Sequence, residues 1–276
     1  MTSYVKGPIA KLIANNEIFD YWFSKLSGRK DCNSQLLEKL INFIERYILF
    51  YKFSSQYIDK VYSDFLSQYI ADIELFMKTN EYPFRNNKKM VYKIPRTTYD
   101  LVLMLSVILT FHRYKIMDCI YTMSSPVSNA LVVGLGSGIE ADLIKPNTKK
   151  IIAYDLSISD FCRKVLKYID SRQDHFNGND GQVFQRIYLI EILEHLYEPY
   201  LLLTKCISVL KPGGQIFLTT ATNIPQFDHL YNFDNLDLFE ERVKKLGLVI
   251  MFKEDIMHDT SFNINAKNTF YILQLN

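Results

Sequence analysis

Long apolar runs are missing from this chain. The longest, residues 101–111, is about half the ~20 residues a membrane-spanning helix needs, so it is read as a buried helix. The first twenty residues hold no extended apolar core, so no secretory signal is expected. Cysteine is sparse: Cys32, Cys119, Cys162 and Cys206 are scattered without a CxxC pair or metal-ligand spacing, as reduced thiols of a cytoplasmic protein would be. Charge of one sign is also lacking. The net is +2 over 276 residues, which leaves no polyelectrolyte signal, and nucleic acid is not the expected partner. Internal repeats and low-complexity segments are absent. Tryptophan occurs once, whereas 19 Tyr and 19 Phe lift the aromatic share to 14%; coding bias explains that first, an aromatic-lined pocket second.

The charge that is present is uneven. Residues 1–130 hold 17 Lys and Arg against 12 Asp and Glu, a balance of +5, which leaves −3 for the remainder. Patterning divides the chain near the same place. Ser34 can cap a helix whose apolar positions Leu37, Leu40, Ile41, Ile44 and Ile48 follow helical spacing. A second periodic stretch covers residues 54–78. A polar, proline-containing basic segment (79–95) then reads as a loop. A third helix is expected over 97–122, closed by the SSP at 124–126.

Beyond residue 126 short apolar runs alternate with amphipathic stretches, the pattern of an α/β domain with a parallel sheet. Strands are expected at 130–133, 150–154, 186–190 and 215–220, with a final pair at 248–253 and 269–275. Helices are expected at 201–210, ending at KPGG, and at 236–246, ending at Gly247.

Three segments carry chemistry. In VVGLGSGIEADL (132–143), Gly134, Gly136 and Gly138 follow a strand and precede a helix, where glycine allows a sharp turn and close approach to a nucleotide cofactor. Position 139 is Ile and 140 is Glu, so the further glycine of the dinucleotide fingerprint is missing. In IIAYDLS, Asp155 ends the second strand, followed by Leu156; its carboxylate suits two ribose hydroxyls, or else caps a helix. The third segment, YLIEILEHLYEPYLLLTKCISVLKPGGQIFLTT (188–220), contains ExxEH and KPGG.

Taken in order, GLGSG, YDLS, LEHL and LKPGG resemble the class I S-adenosylmethionine-dependent methyltransferases, over about half the chain from residue 130 onward. The resemblance implies a Rossmann-like sheet at 126–276, covered by a helical substrate-facing region at 1–125. It implies S-adenosylmethionine as cofactor, a small-molecule methyl acceptor, and a helical region of a kind that often carries a homodimer surface. Cofactor binding then falls to Gly134, Gly136, Gly138, Asp155, Leu156 and Glu191, and catalysis to His195, His229 and Glu191. Asp174, Phe176 and Asp180 are candidates for the adenine. The family usually has an acid two residues before the first glycine; here that residue is Val132, and Glu140 is the nearby carboxylate.

ExxEH admits two readings. On a helix, Glu191, Glu194 and His195 would share one face. With His229 from the later PQFDHLYNF loop, which also carries Asp228, they resemble the metal site of the small-RNA 3′-terminal 2′-O-methyltransferases. That resemblance implies a divalent ion held by Glu191, Glu194, His195 and His229. LEHL also occurs in small-molecule enzymes such as the ubiquinone-type O-methyltransferases, where the histidine lines the pocket or acts as general base. Asn223, Gln226 and Tyr231 of the same loop are expected to touch substrate. His112, His175 and His258 have no evident partners in the sequence. Three functions therefore stand: small-molecule methyl transfer to O or N, metal-dependent methylation of an RNA terminus, and an inactive cofactor-binding fold. A nicotinamide dehydrogenase explains LEHL and LKPGG poorly.

Overall fold

The structure is a computed structural model that describes residues 7–82, 94–179, 181–259, 262 and 264–275. Its centre is a seven-stranded sheet: β1 (Val127–Val133), β2 (Thr148–Asp155), β3 (Ile169–Gln173), β4 (Phe184–Leu189), β5 (Leu210–Thr222), β6 (Leu248–Met257) and β7 (Lys267–Leu275). The strand order is β3-β2-β1-β4-β5-β7-β6. Strands β1 to β5 pair in parallel, and β7 runs antiparallel between β5 and β6.

Both faces of the sheet are covered, so the central strands are buried at consecutive positions toward their carboxyl ends, residues 130–133 of β1 and 186–189 of β4, rather than at alternate ones. In β1, Ala130 and Val132 join a core with the N-terminal helices, while Leu131 and Val133 join the core on the opposite face. The first face receives α1 (Gly7–Asn15), α2 (Glu17–Ser27), α3 (Ser34–Tyr51), α4 (Ser55–Thr79), α5 (Arg96–Leu109) and α6 (Phe111–Met123). It also receives α7 (Ile139–Ile144) and α8 (Asp160–Val165); α9 (Pro199–Ser208) and α10 (Leu236–Lys245) cover the other. The helices start where side chains satisfy free amides. Asn33 Oδ1 accepts from Gln35 and Leu36 to begin α3, so the cap lies one residue before Ser34. Ser54 Oγ accepts from Tyr57 to begin α4.

Several expectations shift. The single helix expected at 97–122 is two, α5 and α6, because Thr110 takes extended dihedrals (φ −122°, ψ 137°) and turns the chain. KPGG lies inside β5, where the register against β4 jumps between Phe184 and Arg186, so the turn is a bulge. Strand β3, IDSRQ, escapes a hydrophobicity reading because Ile169 is its one buried residue. The basic part of the expected loop, residues 83–93, lies outside the described residues, as does Asp180. Among the described residues no helix is long and apolar enough to cross a membrane.

Candidate active site

The carboxyl ends of β1, β2 and β4 open into a cavity of about 540 Å³, at the point where successive connections leave the sheet on opposite sides. Gly134 and Gly136 form its floor, and Tyr154, Asp155 and Leu156 one wall. Both glycines have positive φ (82° and 56°). A Cβ on Gly134 would lie 3.0 Å from Ile192 Cδ1. A Cβ on Gly136 would meet nothing nearer than Arg96 at 4.0 Å and would project into the cavity, so the bare backbone leaves ligand space. Gly138 (φ 86°) does not line the cavity: a Cβ there would strike Leu166 at 2.4 Å, so this glycine serves the packing of α7 against α8.

Asp155 Oδ2 accepts from the Gly136 amide at 2.9 Å, and Oδ1 from the Ser157 amide at 2.9 Å. The sequence hid a further partner. Arg96, from α5, reaches Oδ2 at 3.1 Å and Oδ1 at 3.4 Å, and its Nε donates to Asp100 at 2.7 Å. Leu156, 60% exposed, borders the mouth, and Asp174 and Phe176 line the same cavity, with Phe176 edge-on to Tyr154 at 5.2 Å.

A second, smaller cavity of about 100 Å³ lies behind the first, sharing Tyr99, Leu103, Glu191 and His195 with it. One wall is apolar and aromatic (Tyr62, Phe65, Tyr69, Leu103). The other is polar and holds four histidines, 112, 195, 229 and 258. His112 stacks on His258 at 3.5 Å, and His258 Nε2 bonds Asn268 Oδ1 at 2.7 Å, so two of the three histidines without evident partners in the sequence are each other's neighbours.

ExxEH is not helical. Residues Leu193–His195 make one 3-10 turn, and Glu191 has φ 50°, which removes the shared helical face. Glu191 stands apart from the other three. Its Oε2 accepts from Arg113 at 2.5 Å, its Oε1 from Asn268 at 2.9 Å, and its amide donates to Thr219 Oγ1 at 2.7 Å. As a metal ligand it would have to abandon Arg113, so the four-residue ligand set contracts to three. The ligand atoms of Glu194, His195 and His229 lie within 4.8 Å of one another.

All three have surroundings that shift their protonation. Glu194 is 0% exposed and neither carboxylate oxygen has a hydrogen-bond partner. Burial, with Glu191 adding, pushes its carboxyl well above the usual range. His229 donates Nδ1–H to the Ile224 carbonyl at 2.8 Å, which leaves the Nε2 lone pair free; burial, with His195 adding, lowers it to about 4. His195 donates Nδ1–H to the Asp228 carbonyl at 3.1 Å. Burial would lower its pKa, but the Asp228 and Glu194 carboxylates outweigh that and raise it. Asp228 is held by Tyr99, which donates to Oδ2, and by Gln226 Nε2, which reaches Oδ1 at 2.9 Å. Of the expected substrate loop, Gln226 borders the small cavity. Tyr231 packs on Tyr200 and Phe233 instead, and Asn223 pairs with Asn232.

A family profile described as a methyltransferase domain matches residues 124–246. The matched stretch, 123 of the 276 residues, takes in the glycine loop, Asp155 and ExxEH. Two ubiquinone biosynthesis O-methyltransferases are similar to the chain. That of Sodalis glossinidius (strain morsitans) is 25% identical over 108 residues, 36% of this chain and 43% of the relative. That of Xanthomonas campestris pv. campestris (strain B100) is 27% identical over 110 residues, 36% of this chain and 46% of the relative. The chain thus matches less than half the length of these relatives. Among solved structures, an O-methyltransferase family protein from Burkholderia thailandensis superimposes with a TM-score of 0.54 at 12% identity, covering 81% of this chain and 73% of that one. The pyocyanin biosynthetic protein PhzM gives 0.51 at 11% identity, covering 73% of this chain and 64% of that one. Both likenesses establish the fold. The methyltransferase domain accounts for the glycine loop and Asp155; Arg96, Tyr99 and Arg113 come from the helices before it.

Proposed function

We propose that the protein transfers the methyl group of S-adenosylmethionine to an oxygen or nitrogen of a small-molecule acceptor. The observation that carries this is the meeting of the two cavities at Tyr99, Leu103, Glu191 and His195. The larger suits a nucleoside cofactor lying over Gly134 and Gly136 beside Asp155, and the smaller suits an acceptor held against the histidines. When bound, the cofactor supplies an electrophilic methyl on a sulfonium sulfur. The chain's own part is to fix the acceptor in line with that methyl and to take its proton. The region before residue 126 covers the acceptor: α4 and α5 provide the aromatic wall and keep water out. A volume of about 100 Å³ favours a compact acceptor over an RNA end.

The proton acceptor lies among Glu194, His195 and His229. Unpartnered oxygens on a fully buried carboxylate favour a second cofactor there, because an ionised group so placed calls for a cation. Two imidazoles, each oriented by a main-chain carbonyl, and one carboxylate form a donor set suited to a divalent ion, which would make an acceptor hydroxyl more acidic. Titration calorimetry with S-adenosylmethionine and with NAD, each with added divalent metal and with chelator, tests these readings. Binding of S-adenosylmethionine alone is expected. Binding of NAD would overturn the assignment, and binding of neither would favour an inactive fold. A heat on adding zinc or magnesium to chelator-treated protein, absent from Glu194→Gln, marks the ion site.

A further inference from the structure

A groove of about 380 Å³ lies between α4 and α5, outside the two cavities described so far. It shares the half-buried rings of Phe65 and Tyr99 with the small cavity. With the cofactor cavity it shares Tyr99 alone among the described residues. The small cavity also borders the cofactor cavity at Leu103, Glu191 and His195, which places it between the other two.

The polar side chains of the groove already have partners within the protein. The Tyr57 hydroxyl and Thr98 Oγ1 meet at 2.6 Å, a bond that joins α4 to α5. Gln68 Nε2 donates to Asp72 Oδ1 at 2.8 Å, and Asp64 accepts from Lys60 at 2.5 Å. The Tyr99 hydroxyl donates to Asp228. What remains is hydrocarbon and ring: Val61, Phe65, Ile94, Pro95, Val102 and Phe227. Such a lining rewards the burial of apolar surface. A charged or polyhydroxylated segment placed there would give up its water without return. The histidine wall of the small cavity has the opposite character, so the two spaces together suit a ligand with one polar and one apolar end.

We propose that the groove between α4 and α5 holds an apolar arm of the methyl acceptor, an alkyl chain or an unsubstituted ring, while the polar end that receives the methyl lies in the small cavity. The assignment deepens the methyl-transfer reading above and rests on it. A space of about 100 Å³ is filled by little more than one small ring, so an acceptor of any greater size has to continue beyond it. The way into the groove passes Phe65 and Tyr99. Tyr99 is held by Asp228, whereas Phe65 has no polar atom to hold it and is the ring able to swing aside between rotamers.

Calorimetry on the full chain with phenol, 4-ethylphenol, 4-butylphenol and 4-hexylphenol, in the presence of S-adenosylhomocysteine, tests this. Affinity should climb about fourfold for each methylene that enters the groove, the factor carried by burying one CH₂. Val61→Trp fills the groove from α4 and should bind phenol as wild type does while losing the climb. Ile94→Asp sets a charge at the rim, on a side chain already 39% exposed, so it places little demand on the fold; it should weaken 4-hexylphenol and spare phenol. No climb in wild type, or an undiminished climb in both variants, overturns the proposal. S-adenosylmethionine binding without a climb removes the groove alone. A climb in a protein that does not bind S-adenosylmethionine removes the methyl-transfer reading, and with it the identity of the arm.

Discussion

The guanidinium of Arg96 lies along the carboxylate of Asp155, Nη2 to Oδ2 at 3.1 Å and Nη1 to Oδ1 at 3.4 Å. One residue opens α5 and the other ends β2, so a single ion pair ties the helical region to the strand end proposed to hold the ribose. The same arginine neutralises Asp100, which is 1% exposed. Closure of the cofactor cavity and its electrostatics therefore share one side chain.

Asp155→Ala is expected to weaken S-adenosylmethionine binding by about 1.5–3 kcal/mol, the scale for hydrogen bonds to a charged group. Titration calorimetry reads this directly. An unchanged dissociation constant removes Asp155 from the cofactor site.

Arg96→Gln strands two carboxylates. Removing one partner of a buried pair costs about 3–5 kcal/mol; Arg96 is about a third exposed, so roughly 2 kcal/mol is expected. The loss depends on pH. Burial already raises Asp100 to about 6 with Arg96 in place, and without the arginine its folded pKa rises further. From the unfolded value near 3.8 up to that folded value, the native state holds a proton that the unfolded chain releases, so native stability falls as pH rises. Urea unfolding should show a small deficit at pH 5 and a larger one at pH 8. Equal deficits would mean that Asp100 does not titrate with the pair.

The strands and the glycine loop were legible because their cause is local: apolar runs of strand length, turns that need positive φ, and an acid at a strand end. The ring of charges around them was not. Arg96, Tyr99 and Arg113 stand in no motif and reach the site only because α5 and α6 pack across the sheet face. Thr110 separates those helices, yet the apolar periodicity runs through it and reads as one helix. In ExxEH the residues were legible and their arrangement was not. Positive φ at Glu191 turns its side chain to Arg113 and leaves Glu194 and His195 to meet a histidine from another loop. His112 and His258 find each other only through the docking of α6 beside the end of β6.

His195→Ala should abolish methyl transfer, by about a hundredfold or more, and leave S-adenosylmethionine affinity unchanged. The ring stands where the two cavities join and is aligned by the Asp228 carbonyl, so its loss removes a proton acceptor or ligand while the glycine loop and Asp155 stay in place. Turnover with an acceptor drawn from a screen of phenols and amines is the measure. A rate near wild type rejects the catalytic role; a matching fall in cofactor affinity makes the role structural.

Glu194→Gln separates a bare buried acid from a metal ligand. Burial, then Glu191, raises the folded pKa of Glu194 far above the unfolded value near 4.5. Between those values the native state keeps a proton that the unfolded chain gives up, so ionising this carboxylate costs stability increasingly as pH rises. The glutamine variant lacks that cost. Its melting temperature should exceed that of chelator-treated wild type by a margin that grows from pH 5 to pH 8. The burial-lowered His229 and His258, both near 4, act in the opposite sense below pH 6.5, but they are present in both proteins and largely cancel in the comparison. A divalent ion bound by Glu194, His195 and His229 would hold the carboxylate ionised and reverse the order. At a hundred times its dissociation constant it would stabilise wild type by about 2.7 kcal/mol and leave the variant unmoved. A margin that does not change with pH, with or without metal, would mean that Glu194 does not titrate as a buried acid and has no part in the chemistry of the small cavity.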